Sequence, residues 1–156
     1  MHKKALNFRD NEDEIDGEYS ALTQIEDLKS YNPNLFEQGY QHLDRYSDIK
    51  PYKHNKIKIS TKSQYINASP INIGDKKNYF ISTQGPKDVT VEDFWTMVFD
   101  YNSKVIVMLC REFESGRKKC ENYWEAKLTK FDLKIENTEE KEMHVIRTIK
   151  IKKKIK

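Results

Sequence analysis

The sequence predicts an α/β fold built around a βαβ unit, and three observations carry that prediction. Tyr79-Phe80-Ile81-Ser82 is strand-like and is ended by Gly85-Pro86. Val91, Phe94, Trp95, Val98 and Phe99 then recur at i, i+3, i+4, i+7 and i+8, one apolar face of a helix. Val105 to Cys110 is an unbroken apolar run rich in β-branching, short enough for a strand buried on both sides. Strand, helix and strand with short joints form a βαβ unit, whose two strands should be parallel with a right-handed crossover.

The remaining elements follow in order. Residues 1–16 are polar, carry Glu12, Asp13, Glu14 and Asp16, and read as a flexible acidic N-terminus. Glu18 to Lys29 reads as an N-terminal helix, with Leu22, Ile25 and Leu28 at three-residue spacing. Asn32-Pro33-Asn34 should break it, because proline lacks a donor and restricts the residue before it. From Phe36 to Pro51 the pattern is irregular, after which Ile57 and Ile59 alternate with Lys56 and Lys58 as in a half-exposed strand. Thr90 should cap the helix running from Val91 to Tyr101, with Asp93 completing a capping box, and Asn102-Ser103 should end it. Leu128 to Ile135 and Val145 to Ile151 alternate apolar with polar and read as two more strands, joined by a turn over Asn137 to Glu140. Residues 150–156 read as a lysine-rich tail beyond a domain over 17–149, and no internal repeat is present.

Composition bounds the function. A length of 156 residues fits one domain, and 12% aromatic content argues for a packed chain despite 34% charged residues. A net charge of +3 is too mild to imply nucleic acid. No run approaches the ~18 apolar residues of a membrane span, and no apolar stretch follows the charged start as in a signal peptide. Neither a nucleic-acid nor a membrane partner is therefore expected. Cys110 and Cys120 cannot build a secreted disulfide framework, so a reducing, cytoplasmic location is the default. A thiolate nucleophile for phosphate needs a nest of backbone N–H groups and an arginine. Neither cysteine is followed by a glycine-rich turn and arginine, so both read as structural thiols. His2, His42, His54 and His144 lack metal-ligand spacing, and neither metal nor cofactor is expected.

Several ordered segments carry more than composition does. Arg45-Tyr46-Ser47-Asp48-Ile49 is followed by Gln64-Tyr65-Ile66-Asn67-Ala68-Ser69, then by Tyr79-Phe80-Ile81-Ser82-Thr83-Gln84-Gly85-Pro86 and Phe94-Trp95. Lys119-Cys120-Glu121-Asn122-Tyr123-Trp124 comes after the apolar run Val105 to Cys110. In order and spacing, over about Phe36 to Ile149, these resemble the first half of a protein tyrosine phosphatase catalytic domain. The resemblance implies a partial form of that family's fold, with a mixed twisted sheet. It also implies a partner, a phosphotyrosine-containing protein or peptide.

Specific roles follow from the same resemblance. Tyr46 corresponds to the ring that packs against phosphotyrosine, where an apolar slab is worth ~0.5–1.5 kcal/mol beyond area burial. Asp48 corresponds to the carboxylate that accepts N–H groups of the bound peptide, and Arg45 stands with them as a substrate-binding position. Asp44 occupies a place where the family usually has asparagine. Glu114 and Lys119 match the support loop beside the active site, and Asn67, Gln84, Gly85, Pro86 and Trp95 match structural positions. The family's chemistry needs a Trp-Pro-Asp loop and a His-Cys-x5-Arg loop, and the 156 residues contain neither. No catalytic residue is therefore assigned. The leading expectation is a truncated tyrosine phosphatase, inactive alone and prone to self-association through uncovered apolar surface. A non-catalytic phosphotyrosine-binding module is the alternative, and a lysine-tail binder of acidic partners or nucleic acid ranks last.

Overall fold

The computed structural model describes residues 15–21 and 32–155. They fall into two compact units divided after Asn34. In the first unit, helix α1 covers residues 15–21. The expected helix Glu18–Lys29 overlaps it only to residue 21, and residues 22–29 lie outside the described residues, as do residues 1–14 of the expected N-terminus.

The second unit contains three two-stranded antiparallel sheets and one long helix. Strands β1 (Ala68–Ile73) and β2 (Lys76–Thr83) form a hairpin whose turn contains Gly74, at φ +56°, a left-handed conformation that glycine adopts without a Cβ clash. Helix α2 (Val91–Asp100) follows the Gln84-Gly85-Pro86 turn and a short 3-10 turn, Asp88–Thr90. Strands β3 (Phe113–Glu114) and β4 (Arg117–Lys118) form a small hairpin, and β5 (Phe131–Glu140) and β6 (Val145–Lys153) a long one.

The helix is where its periodicity places it. Phe94, Trp95 and Val98 are buried, together with Val91 and Met97, against Ile57, Ile59, Ile66, Tyr123, Leu128 and Phe131. The Trp95 indole N–H donates to the Tyr123 carbonyl at 2.8 Å, so this buried ring is also hydrogen-bonded. Glu92 ties the helix to the start of β5: its carboxylate accepts the Thr129 N–H and hydroxyl at 3.2 and 2.7 Å and the Lys130 N–H at 2.6 Å. Partial burial raises the Glu92 pKa, but these donors outweigh it and the net shift is downward.

The expected capping box does not form. The Thr90 hydroxyl turns back to Lys87, accepting its N–H at 2.9 Å, and Asp93 caps nothing. Burial holds the Asp93 carboxyl above its usual pKa, with the positive charge of Lys130 only partly opposing. Ile57 and Ile59 are buried and Lys58 is exposed, so the alternation is real. They form no strand, however. Ile57 makes a single backbone bond to the Ala68 carbonyl at 2.9 Å.

The largest correction concerns the βαβ unit. β2 pairs only with β1, antiparallel, and Val105 to Cys110 belongs to no sheet. Met108 and Cys110 pack against the core, whereas Val105, Val107 and Leu109 are 77%, 72% and 93% exposed. The segment is only partly covered on one face, at Met108 and Cys110, and exposed elsewhere, not buried on two. No described strand lies beside it to accept its backbone hydrogen bonds, which is why an apolar run alone does not become a strand.

The long hairpin also differs from expectation. Its strand begins at Phe131 rather than Leu128, and Asn137 to Glu140 is ladder, not turn. The chain reverses over residues 141–144, closed by the Lys141 N–H on the His144 carbonyl at 2.9 Å. Residues 150–153, expected as tail, pair with residues 131–134 because alternating Ile149 and Ile151 pack on the core while Lys150 and Lys152 stay outside. Among the described residues no helix is long and apolar enough to cross a membrane.

Candidate functional site: a tyrosine wall and its anchor

The Arg45-Tyr46 segment has no regular structure, so side chains must hold it. Arg45 does most of this. Its backbone N–H donates to Gln84 Oε1 at 2.8 Å, and its guanidinium donates to the carbonyls of Gly85, Lys118 and Pro86 at 2.8, 2.9 and 2.7 Å. The planar fork thereby ties three parts of the chain together. Gln84 completes the exchange by donating its amide to the Leu43 carbonyl at 2.9 Å. The Glu121 N–H also meets the Pro86 carbonyl, at 2.9 Å, so the Gln-Gly-Pro turn holds both the tyrosine segment and the far end of the β3–β4 loop.

A buried carboxylate anchors the other side. Asp44 is 5% exposed. Its Oδ1 accepts the Tyr65 hydroxyl and, at 3.0 Å, the Asn67 amide, and the same amide donates to the Ile49 carbonyl at 2.7 Å. Burial first, and then the Asp44 bond, push the Tyr65 hydroxyl well above its ordinary pKa, so it stays a donor. The rings of Tyr40 and Tyr65 stack at 4.0 Å beside it. Lys87 donates to the His42 and Asp44 carbonyls at 2.6 and 3.0 Å. Sequence reasoning singled out Asp44 only as a replaced asparagine and did not find this network. Nothing local marks it, because its partners come from a segment about twenty residues away.

What this frame presents outward is Tyr46, 42% exposed, with Asp48 exposed nearby in sequence. Lys119 reaches Tyr46 from 73 residues away, its ammonium donating to the tyrosine hydroxyl at 2.9 Å and lying 5.3 Å from the ring centroid. Glu114 sits in β3 and accepts the Arg111 N–H at 3.0 Å. Structure thus brings Arg45, Tyr46, Lys119, Gln84, Gly85 and Pro86 into one cluster with Asn67 behind it, and Trp95 lies in the core. Chemically the cluster offers an aromatic face and an ammonium. A depression of about 770 Å³, lined by Ser60, Lys62, Asp93, Thr96, Asp100 and Lys130 among others, includes none of Arg45, Tyr46, Asp48, Glu114 and Lys119. Among the described residues no group of histidine, cysteine or carboxylate side chains could hold a metal ion.

Known proteins resemble this chain in sequence and in fold. The family model for protein-tyrosine phosphatase matches residues 40–156. Human tyrosine-protein phosphatase non-receptor type 12 is 49% identical over 86 residues, which span 52% of this chain and 11% of that protein. Rat tyrosine-protein phosphatase non-receptor type 20 is 38% identical over 134 residues, covering 78% of this chain and 32% of that one. The crystal structure of the catalytic domain of human protein tyrosine phosphatase non-receptor type 18 superposes with a TM-score of 0.77 at 27% identity, over 96% of this chain and 59% of that chain. A structure of PTPN18 in complex with HER2 phosphopeptides gives a TM-score of 0.67 at 33% identity, over 71% of this chain and 46% of that one. The chain spans about a third or less of these curated relatives and roughly half of the solved domains. Those neighbours are α/β catalytic domains, and the small sheets and single long helix seen here are a partial form of their fold. This chain belongs to the protein-tyrosine phosphatase family.

Proposed function

We propose that this chain supplies the phosphotyrosine-recognition wall of a tyrosine phosphatase whose whole protein hydrolyses phosphotyrosine in proteins. On its own, it performs no hydrolysis. The observation that carries this reading is the fourfold hold on Arg45, which fixes the segment while leaving the Tyr46 ring exposed. Arg45 serves as the anchor of the wall, with its guanidinium committed to carbonyls. Tyr46 is the slab for the substrate ring, Asp48 the acceptor for peptide N–H groups, and Glu114 with Lys119 the supporting loop. The 156 residues include no His-Cys-x5-Arg segment to cradle the phosphate. The solved complexes of a relative with phosphopeptides support the ligand class.

Peptide titration tests the reading. Chemical shifts of Tyr46, Asp48 and Lys119 should move with a phosphotyrosine peptide and much less with its unphosphorylated counterpart. Affinity should be weak, about 1 mM, which is ~4 kcal/mol of binding. Tyr46→Ala should abolish the shifts while leaving the thermal transition in place. Equal responses to the two peptides, or no effect of Tyr46→Ala, would overturn it.

The alternative, a non-catalytic phosphotyrosine-binding module, uses the same wall. The reading frame following Lys156 separates the two. Trp-Pro-Asp and His-Cys-x5-Arg encoded there support the phosphatase, and a stop codon supports the module. Two cysteines outside any disulfide framework suit the reducing cytoplasm, where we place the protein.

Self-association belongs to the same proposal. Val105, Val107 and Leu109 put one apolar row into solvent. Sedimentation velocity should show concentration-dependent association that Leu109→Lys reduces. A monomer unchanged across the concentration range would contradict this part of the proposal.

A further inference from the structure

The depression of about 770 Å³ beside helix α2 has the size of a small-molecule site and contains none of the side chains of the tyrosine wall. Hydrogen bonds hold its frame. Ser60 donates its N–H and hydroxyl to the Asp100 carboxylate at 2.8 and 3.0 Å, which ties residues 60–63 to the helix. The Glu92 carboxylate is filled by the Thr129 and Lys130 donors, and the Lys154 N–H closes on the Lys130 carbonyl at 2.8 Å.

The polar groups left open after these bonds are of both signs. Of the three carboxylates in the lining, Asp93 alone accepts no hydrogen bond and makes no ion pair, although it is half-buried. Among the lysines, Lys154 is taken up by the Leu128 carbonyl at 2.8 Å and by Asp132 at 3.4 Å. The ammoniums of Lys62, Lys130 and Lys153 have no ion pair or hydrogen bond among the described residues, and that of Lys153 lies 5.7 Å from the Phe99 ring centroid.

We propose that this depression binds a small hydroxylated carboxylate, its carboxylate among the Lys62, Lys130 and Lys153 ammoniums and a hydroxyl donating to Asp93. Charge narrows the class. Four ammoniums against three carboxylates leave the lining one positive charge in excess, which suits a monoanion better than a phosphate monoester carrying about −1.5 to −2. An amino acid, with no net charge, leaves that excess unmatched. A plain carboxylate meets the lysines but covers Asp93 without giving it a donor, and a covered acceptor left unsatisfied opposes binding. A neutral polyol does the reverse. A molecule with both groups fills the open set, and the hydrogen-bonded frame is already in place to receive it.

The test uses the whole chain and three probes: D-gluconate, hexanoate and sorbitol. In an NMR titration, gluconate should shift Lys62, Asp93 and Lys130 and leave Tyr46 and Lys119 unmoved. Its affinity should exceed that of hexanoate and of sorbitol by about tenfold, the worth of one charge-assisted hydrogen bond. Lys62→Gln removes an exposed side chain that makes no bond, so it should keep the thermal midpoint while weakening gluconate and hexanoate alike. Asp93→Ala should erase the preference for gluconate without weakening hexanoate, because it deletes a negative charge as well as an acceptor. Hexanoate bound as tightly as gluconate by the wild-type chain would show attraction by charge alone and overturn the proposal. So would shifts confined to Tyr46 and Lys119, the absence of any response, or a preference that survives Asp93→Ala.

Discussion

Gly85→Ala should destabilise the protein and weaken peptide binding together. A Cβ at this position would lie 2.4 Å from the Lys119 carbonyl oxygen and 3.2 Å from the Cys120 Cβ. The first neighbour is backbone and cannot swing aside, so the loop itself must move. Overpacking of this kind typically costs about 1–3 kcal/mol, and a contact this short belongs at the upper end. The displaced atoms matter because Arg45 donates to the Gly85 and Lys118 carbonyls on either side of the contact. Thermal unfolding and the phosphopeptide titration should both change. A wild-type midpoint in Gly85→Ala would show that the loop yields freely and does not brace the wall.

Asp44→Ala is the second substitution expected to have a large effect. It leaves the Tyr65 hydroxyl without its carboxylate and removes one acceptor from the Asn67 amide, both in the interior. Leaving a buried polar group unsatisfied costs about 1–3 kcal/mol, so roughly 3 kcal/mol should be lost from a margin of ~5–15 kcal/mol. Asp44→Asn keeps an acceptor for Tyr65 and should cost under about 1.5 kcal/mol. Chemical denaturation of the two variants checks this. Equal losses from both would mean that the charge, not the hydrogen bonding, holds the segment.

These two positions also show where sequence reading reaches its limit. Helix α2 was legible because five apolar residues at helical spacing leave few alternatives, and Trp95 and Phe94 are buried accordingly. The order of short segments around Tyr46, Asn67, Gln84 and Trp95 identified the family. By contrast, Gly85 reads as a turn residue, and nothing in its neighbourhood announces a backbone arriving from Lys119. Asp44 reads only as a replaced asparagine, because its burial depends on Tyr65 and Asn67. The contact between Lys119 and Tyr46 joins distant parts of the chain, and local pattern carries no trace of it.

The misread elements fail for a related reason. Val105 to Cys110 has the composition of a central strand, but a strand exists only where a neighbour accepts its backbone hydrogen bonds. Residue types alone place the helix cap at Thr90. The Thr90 hydroxyl and N–H both engage Lys87, so Asp93 does not receive the Thr90 N–H that a capping box requires. The turn at Asn137 to Glu140 looked polar enough to reverse the chain, yet the ladder continues past it after a register shift between Ile135 and Asn137.

Phosphate release tests most directly the proposal that this chain recognises phosphotyrosine without turning it over. Purified chain should be incubated with a phosphotyrosyl peptide and an aryl phosphate, beside the Cys110→Ser, Cys120→Ser double variant. Neither cysteine is followed in sequence by a glycine-rich turn and arginine, and burial raises the Cys120 thiol to about 12, which keeps it protonated. The expected result is no release above the uncatalysed background in either protein. Turnover by the wild-type chain that disappears in the double variant would contradict the account, because it would place a working nucleophile among these 156 residues.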